Sequence, residues 1–281
     1  MIALVTATQV PVEDVELPVL QAAAARAGLT AEVAAWDDPS VDWGRFELAL
    51  IRSTWNYVDH ADAFRTWADA AAAQTRLVNS AAILRWNSDK TYLGELAAKG
   101  VPAVPTTYLR PGQPAALPEY DEFVVKPAMG VGARRAGRFR ADQRDEAASH
   151  VAQLHAEGLT AMVQPYQTRV DRDGERALVY FGGEFSHAIV KGAVLSAVTG
   201  RRGEEAHPNP RPYLPSAAEH EVALAALTAA PEVPLYGRLD LVLGSDGQPI
   251  IMEVELIEPH LFLASAPGAE DRLLSVVAKA L

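Results

Sequence analysis

An Asp-Gly pair at residues 246 and 247 restricts the fold of this chain more than any other short stretch. It separates two apolar runs, "YGRLDLVL" and "PIIMEVE", and Asp-Gly in such a place is typical of a two-residue β-hairpin turn. Counting outward from that turn places Asp240 opposite Glu253 and Arg238 opposite Glu255. Directly opposed side chains lie about 5 Å apart. The sequence therefore predicts three carboxylates and one guanidinium on one face of two adjacent strands.

This acidic face has two interpretations. Carboxylates removed from water need a positive partner, and Arg238 alone cannot neutralise three acids. Because the cluster contains oxygen ligands and neither cysteine nor histidine, it favours a hard divalent cation, Mg²⁺ or Mn²⁺. The alternative is a solvated strand face on which acids and arginine pair at the surface. The hairpin alone leaves both interpretations open.

Composition excludes several other classes of protein. The chain has 281 residues, a net charge of −11 and no cysteine. The negative charge argues against non-specific nucleic-acid binding, and the lack of cysteine excludes disulfide scaffolds and thiol nucleophiles. No apolar run reaches the roughly 18 residues of a membrane span, and the N-terminus begins as a strand, not as a signal peptide. We therefore expect a soluble, cytoplasmic protein with no nucleic-acid or membrane partner.

Strand and helix patterns alternate over residues 1–80, which predicts a small doubly wound parallel sheet. It has no G-x-G-x-x-G turn, so dinucleotide binding is unsupported. Arg52 lies near the end of the buried strand "FELALIRS" and Trp55 follows it, at the strand ends where such sheets bind ligands. Both are candidates for substrate contact, and core packing is the alternative for Trp55.

A glycine-containing loop follows the apolar strand that ends at Lys126. Gly130 and Gly132 allow successive backbone N–H groups to turn toward one anion, although a flexible hairpin loop is the alternative. Lys90 lies on a predicted helix, where most lysines are solvated. The Gln-Pro-Tyr tripeptide at 164–166 ends another apolar strand. Neither of these two features indicates a function by itself.

Taken together and in this order, these elements resemble the ATP-grasp superfamily. The likeness is greatest for its glutathione-synthetase-like members, and among them for the D-cycloserine synthetase group of actinobacteria. It is carried by "IRSTWNYV", "RWNSDKTYL", "GVPAVPTTYL", "VVKPAMGVGAR", "MVQPY", "GGEFSHAIVKG" and "YGRLDLV". The resemblance implies an α/β fold with a pre-ATP-grasp domain over residues 1–85. Two α+β lobes, 86–166 and 167–281, would then clasp ATP.

The resemblance also implies roles for the candidate residues. The ATP-binding set is Lys90, Lys126, Gly130, Gly132, Gln164, Pro165, Tyr166 and Asp171, with Glu175 as the alternative ribose contact. The metal set is Asp240, Glu253 and Glu255, and the catalytic set is Arg238, Arg176 and Lys191. The substrate set is Arg52, Trp55 and Glu258, with His207, His260, residues 52–58 and the loop 196–216 as further candidates. The family commonly ends this hairpin with Glu-x-Asn, whereas here it is Glu253-Val254-Glu255, so the number of metal ions stays open.

The implied function is that of an ATP-dependent ligase using Mg²⁺ or Mn²⁺. It would phosphorylate a carboxyl or ureido carbonyl of a small amino-acid-like substrate and form a C–N bond with release of ADP and phosphate. Likeness to the cycloserine group implies ring closure within one substrate, as part of amino acid or antibiotic biosynthesis. The alternatives are an intermolecular carboxylate–amine ligase, a nucleotide-binding module without ligase activity, and an interaction scaffold. A homodimer is the usual expectation for such ligases.

Overall fold

The structure, a computed structural model, describes residues 1–113, 116–195 and 209–281. Its helices are α1 (Glu16–Arg26), α2 (Ala61–Ala72), α3 (Ala81–Asn87), α4 (Tyr92–Ala98), α5 (Arg144–Ala156), α6 (Val170–Asp173), α7 (Ala217–Thr228) and α8 (Ala269–Lys279). Its strands are β1 (Ile2–Thr6), β2 (Ala31–Ala35), β3 (Leu48–Ser53), β4 (Arg76–Val78), β5 (Thr107–Leu109), β6 (Glu122–Pro127), β7 (Gly137–Arg140), β8 (Ala161–Pro165), β9 (Glu175–Phe181), β10 (Glu184–Lys191), β11 (Arg211–Tyr213), β12 (Tyr236–Leu243) and β13 (Pro249–Glu255). None of the helices in these ranges is both long and apolar enough to span a membrane.

The first sheet is parallel throughout and has the strand order β2-β1-β3-β4. Side chains on its two faces alternate along the buried strand β1, since Leu4 lies in one core and Val5 in another. Helices α1 and α8 contribute Leu20 and Leu273 to the first core, and α2 contributes Phe64 to the second. The predicted doubly wound sheet is confirmed.

The second sheet is antiparallel, with the order β5-β8-β6-β7. Helix α5 covers one face, where Val151 packs with Phe123 and Val125 of β6. Because side chains alternate along a strand, Val124 and Lys126 point to the opposite face. No helix of the described residues covers that face, which forms one wall of the cleft described below.

The third sheet is antiparallel, with the order β11-β10-β9-β12-β13. The predicted turn at Gly182 and Gly183 is confirmed, because both residues have positive φ, 60° and 82°, and they join β9 to β10. Helices α4 and α7 cover one face of this sheet, on which Leu178 and Leu239 are buried. The other face is opposite the second sheet.

The β12–β13 hairpin reaches its predicted register by a route that was not predicted. The Gly244 N–H donates to the Gln248 carbonyl at 2.8 Å, so the turn holds three residues instead of two. A β-bulge then adds Met252 to β13 and compensates for the longer turn. Asp240 consequently pairs with Glu253. The two-residue turn was wrong, whereas the predicted pairing is confirmed.

Two short helices, α3 and α4, replace the single predicted helix around Lys90. Lys90 lies in the turn between them. Ile83 and Leu96 of these helices share a core with Leu178 and Leu239 of the third sheet. Residues 86–98, which were predicted to belong with the first ATP-grasp lobe, therefore pack against the sheet of the second.

Candidate active site

A cleft separates the facing walls of the second and third sheets. The space between its walls is about 1130 Å³, part of it open to solvent. One end is apolar and is lined by Val104, Val124, Val170 and Met252. The other end is lined by lysine, arginine and carboxylate side chains. An elongated ligand with one apolar and one charged end matches this division.

Arg238 and Asp240 are the most deeply buried charged residues of the charged end, each 2% exposed. Arg238 Nε and Nη2 donate to the two Asp240 oxygens, both at 2.9 Å. Lys191 Nζ lies 2.9 Å from Asp240 Oδ2 and 2.6 Å from Glu175 Oε1. Arg238 also pairs with Glu255, its partner across the strands. Four of the predicted residues are thus brought into one network, together with Glu175.

Lys90 and Lys126 bring positive charge to the next carboxylate along β13. Lys90 Nζ lies 3.2 Å from Glu253 Oε1 and donates to the Gly130 carbonyl. Burial lowers the pKa of the Lys126 ammonium, and the charge of Glu253 opposes that shift. Arg238 therefore does not face the three acids alone, as the sequence predicted, because Lys90, Lys126 and Lys191 add positive charge beside them.

The carboxylates of this network titrate in different ranges. Burial raises the pKa of Glu255 to about 7, although the charge of Arg238 opposes it. Burial likewise raises the pKa of Glu175 to about 7, against the charge of Lys191. Burial would also raise the pKa of Asp240, but Arg238 and Lys191 outweigh it and hold that pKa well below its usual range. Asp240 is therefore the permanent anion of the group.

Two of the three predicted metal residues have carboxylate oxygens to offer a magnesium ion. In the described ranges, no three acidic or histidine side chains converge as a complete metal site. Both oxygens of Asp240 accept from cations, whereas Glu253 and Glu255 each use one oxygen, Oε1, in their ion pairs. Mg²⁺ commonly takes one or two carboxylates and completes its octahedron with phosphate and water. Glu253 and Glu255 match that requirement better than Asp240 does.

The tripeptide at 164–166 lies beside the apolar end, where Gln164, Pro165 and Tyr166 line the cleft. Asp171 does not line it. Instead, Asp171 accepts a hydrogen bond from the Tyr166 hydroxyl at 2.5 Å and pairs with Arg138 at 3.2 Å. Glu175, the other ribose candidate, does line the cleft, although at the charged end.

Arg176 does not reach the cleft, which corrects the prediction that it acts in catalysis. Neighbouring residues of a strand point to opposite faces, and Glu175 occupies the cleft face of β9. Arg176 Nε therefore lies on the other side, 3.3 Å from Glu219 of α7. Its Nη1 donates to the Gly174 carbonyl at 2.9 Å. Of the two basic residues predicted on the first hairpin, Lys191 lines the cleft.

The glycine-containing loop after Lys126 borders the charged end through Gly130 and Gly132, as predicted. Gly132 has a φ of 57°, a region that favours glycine. The loop also contacts the segment that follows β3 of the first sheet, where Arg134 Nη1 lies 3.0 Å from Asp59 Oδ2. Arg135 Nη1 lies 3.5 Å from the other oxygen of Asp59.

The three predicted substrate residues lie where the first sheet meets the segment after β13, and they are not among the residues that line the cleft. Arg52 is buried, pairs with Glu16 at 3.0 Å and donates to the Pro259 carbonyl at 2.8 Å. Trp55 Nε1 donates to the carbonyl of Glu258 at 3.2 Å.

The predicted histidines and the specificity loop have different outcomes. The His260 carbonyl accepts a hydrogen bond from Arg238 Nη1 at 3.0 Å, which connects that residue to the charged end. His207 and residues 196–208 of the loop lie outside the described residues.

Asn87 and Tyr92 were missed as positioning residues. Both bond to Val254, which lies between the two carboxylates of β13. Asn87 Nδ2 donates to its carbonyl at 2.8 Å, and the Tyr92 hydroxyl contacts both its carbonyl and its N–H at 2.9 Å. Both residues occur in "RWNSDKTYL" and are buried in the structure. The sequence could have indicated them as polar side chains within an otherwise apolar helical segment.

Sequence comparison decides the family. The chain is 38% identical over 300 residues to the cycloserine biosynthesis protein DcsG of Streptomyces lavendulae, covering 100% of this chain and 99% of that protein. The chain belongs to the D-cycloserine synthetase family. The family model of the N-terminal domain of D-cycloserine synthetase DcsG matches residues 2–79. The crystal structure of D-cycloserine synthetase DcsG superposes with a TM-score of 0.92 at 37% identity, over 99% of both chains.

More distant structures extend the fold of this D-cycloserine synthetase family member to other ATP-grasp ligases. PsnB, solved with a minimal precursor, Mg and ADP, matches with a TM-score of 0.65 at 15% identity, over 99% of this chain and 97% of its own. D-alanine–D-alanine ligase from Bacillus anthracis matches with a TM-score of 0.65 at 14% identity, over 99% and 96%. The predicted ATP-grasp fold is confirmed, and with the family it makes the chain an ATP-dependent ligase that forms C–N bonds.

Proposed function

We propose that this ligase phosphorylates a carboxyl group, or an equivalent ureido carbonyl, of an amino-acid-derived substrate and then closes a C–N bond within the same molecule. The observation that carries the proposal is the charged end of the cleft. There Lys90, Lys191 and Arg238 pair with carboxylates that hold them in position, and Lys126 lines the same cleft. The similarity to a cycloserine biosynthesis protein supports ring closure over joining two substrates.

ATP would occupy the cleft along its length. The apolar end accommodates the base, beside the backbone of residues 164–166. Lys90 and Lys126 are point charges suited to the phosphates. The loop that contains Gly130 and Gly132 borders the charged end of the cleft. It would cover the phosphates there and exclude water from the reaction.

Glu253 and Glu255 would hold Mg²⁺, which would offset the negative charge of the phosphates. Arg238 and Lys191 would contact the transferring phosphoryl group, and Asp240 keeps both cations in place. Preorganised charges of this kind supply most of the stabilisation that phosphoryl transfer requires. Asp240 therefore acts as a positioning residue for Arg238 and Lys191.

The reaction would proceed in two steps. A carboxyl oxygen of the substrate attacks the γ-phosphorus, the bond to the bridging oxygen breaks, and ADP leaves with its electron pair. A nitrogen of the same substrate then attacks the activated carbon, and phosphate leaves as the C–N bond forms and the nitrogen loses a proton. Arg52, Trp55 and Glu258, beside the end of β13, would form the substrate's part of the site.

Mg²⁺-dependent release of ADP and phosphate, measured over a panel of amino acids that includes ureido-bearing ones, tests this proposal. Glu253→Gln should lower kcat about 100-fold, by analogy with the loss of one preorganised electrostatic contact. Glu184→Gln, an exposed carboxylate at the start of β10, is the matched control and should leave kcat unchanged.

The products separate the candidate functions. Ring closure gives turnover with one organic substrate, whereas an intermolecular ligase needs an added amine. The proposal fails if no substrate supports Mg²⁺-dependent turnover while ATP binds the wild type and Glu253→Gln equally. That result would indicate a nucleotide-binding module.

A further inference from the structure

The backbone on either side of Glu258 is held by three side chains. The carbonyls of residues 257–259 accept hydrogen bonds, in that order, from Tyr236 at 2.6 Å, Trp55 at 3.2 Å and Arg52 at 2.8 Å. Tyr236 and Arg52 are themselves buried. The backbone of Glu258 is therefore fixed by contacts that do not involve its own side chain.

The Glu258 side chain is buried without a partner among the described residues. The residue is only 8% exposed. Within residues 1–113, 116–195 and 209–281, its carboxylate forms no salt bridge and accepts no hydrogen bond from another residue. Burial raises the pKa of Glu258 to about 8, the charge of Glu255 adds to the shift, and that of Lys90 opposes it. A rigidly held, buried carboxylate without a partner destabilises the folded protein.

The Tyr57 hydroxyl is a second buried polar group of the same kind. Tyr57 is 4% exposed, and its ring packs on Phe64 with centroids 4.9 Å apart. Its hydroxyl makes no hydrogen bond to any other residue in the described ranges. Tyr57 shares a buried cluster with Ile257, the residue before Glu258, and Trp55, two residues before Tyr57, bonds to the Glu258 carbonyl. The segments that carry these two oxygen acceptors, neither of which has a partner among the described residues, therefore pack together beside the end of β13.

We propose that Tyr57 and Glu258 form a subsite for the ammonium group of the substrate, an inference that rests on the proposed function. An ammonium group carries three donors and one positive charge, which suits a carboxylate and a phenol oxygen. Lys90 does not meet this need, because its ammonium already contacts Glu253 and Gly130.

The location agrees with the geometry of an α-amino acid. Its amino and carboxyl groups are separated by one carbon atom. A subsite near Glu255 would therefore place the reacting carboxyl beside the residues assigned to phosphoryl transfer. Only substrates that carry a positive charge next to the activated group would satisfy Glu258, so the subsite would select amino acids over other carboxylic acids.

A metal ion is a poorer occupant of this subsite. Mg²⁺ requires close to octahedral coordination by carboxylate, carbonyl, phosphate and water oxygens, and a phenol is not among its usual ligands. In the part of the chain that the structure describes, no three acidic or histidine side chains converge. The pairing of one carboxylate with one phenol therefore favours an organic cation.

Two ligands that differ by one amino group test the proposal. D-Cycloserine, the compound named in the family, and isoxazolidin-3-one, which lacks its amino group, are titrated calorimetrically into the protein with ADP and Mg²⁺. The wild type should bind D-cycloserine about 10- to 100-fold more tightly, as expected for a hydrogen-bonded charged group. In Glu258→Gln this ratio should fall to within about 3-fold, and in Tyr57→Phe it should fall by about 3- to 10-fold. Glu184→Gln and Tyr120→Phe, at positions outside the cleft, are the matched controls.

Each outcome bears on a different part of the argument. An unchanged ratio in Glu258→Gln overturns the subsite and leaves the proposed function intact. A parallel rise of the KM for ATP in that variant indicates general distortion and also overturns the subsite. If the wild type binds neither compound yet turns over another amino acid, the ratio of KM values for that substrate and its deaminated analogue decides in the same way. If no amino acid binds or reacts, the subsite and the proposed function fall together.

Discussion

Replacing Glu16 by glutamine should lower the free energy of unfolding by about 3–5 kcal/mol, the range for breaking a buried ion pair. Glu16 is 3% exposed and pairs with Arg52, which is 1% exposed, at 3.0 Å. The same carboxylate accepts hydrogen bonds from the N–H groups of Leu261 at 2.9 Å and Leu263 at 3.0 Å. Glutamine keeps one acceptor oxygen, but it leaves the Arg52 guanidinium buried without a counter-charge and turns an amide donor toward other donors.

Urea denaturation followed by circular dichroism, with coincident fluorescence as the test of a two-state transition, measures this change. Asp62→Asn is the control, because Asp62 is fully exposed in its 3.4 Å pair with Arg65, and exposed pairs contribute about 0.2–1 kcal/mol. A loss below about 1 kcal/mol in Glu16→Gln, or one equal to the control, would refute the reasoning that this buried charge joins α1 to the segment after β13.

Three further predictions concern the loop, the sheet and pH. Asp59→Asn should raise the KM for ATP several-fold with little change in melting temperature, because it frees Arg134 of the glycine-containing loop while removing only exposed pairs; steady-state kinetics and a thermal scan measure the two effects. Arg176→Gln should lower the melting temperature and leave the KM for ATP unchanged, since Arg176 contacts Glu219 beneath the sheet, and an increased KM would contradict that placement. Glu258 has a folded-state pKa of about 8 against an ordinary value of 4.5, so the folded protein binds more protons between these values and wild-type stability should fall as pH rises through that window. Glu258→Gln should therefore match the wild type at pH 4 and exceed it in stability at pH 9, as read from denaturation midpoints.

Local signals predicted much of the fold. The Asp-Gly and Gly-Gly turns define two hairpins, and strand–helix alternation defines the first sheet. Each turn signal spans only two residues of the hairpin that it predicts, and the alternation is a series of such short patterns. The turn and alternation patterns depend on local backbone geometry and on the burial of one face of each strand. They do not depend on which other strands complete the sheet.

The partners within the charged end could not be predicted in this way. Lys191 and Glu175 meet Asp240 only because β9 and β10 lie on the far side of β12 from β13. No local pattern encodes that strand order. Arg176 was misplaced for a related reason: its alternation with Glu175 was clear, but α7 decides which of the two faces is covered.

The bulge at Met252 changes how many side chains one strand can present to a ligand. A regular strand gives alternate residues to each face, which is two of any four. In β13, Met252, Glu253 and Glu255 all line the cleft, while Ile251 and Val254 remain buried in the core behind it. The bulge also places Met252 of the apolar wall and the carboxylate of Glu253 next to each other along the chain. The boundary between the apolar and charged parts of the cleft is thereby set by a single peptide unit. In the proposed function, that peptide unit would determine where the base of ATP ends and the phosphates begin.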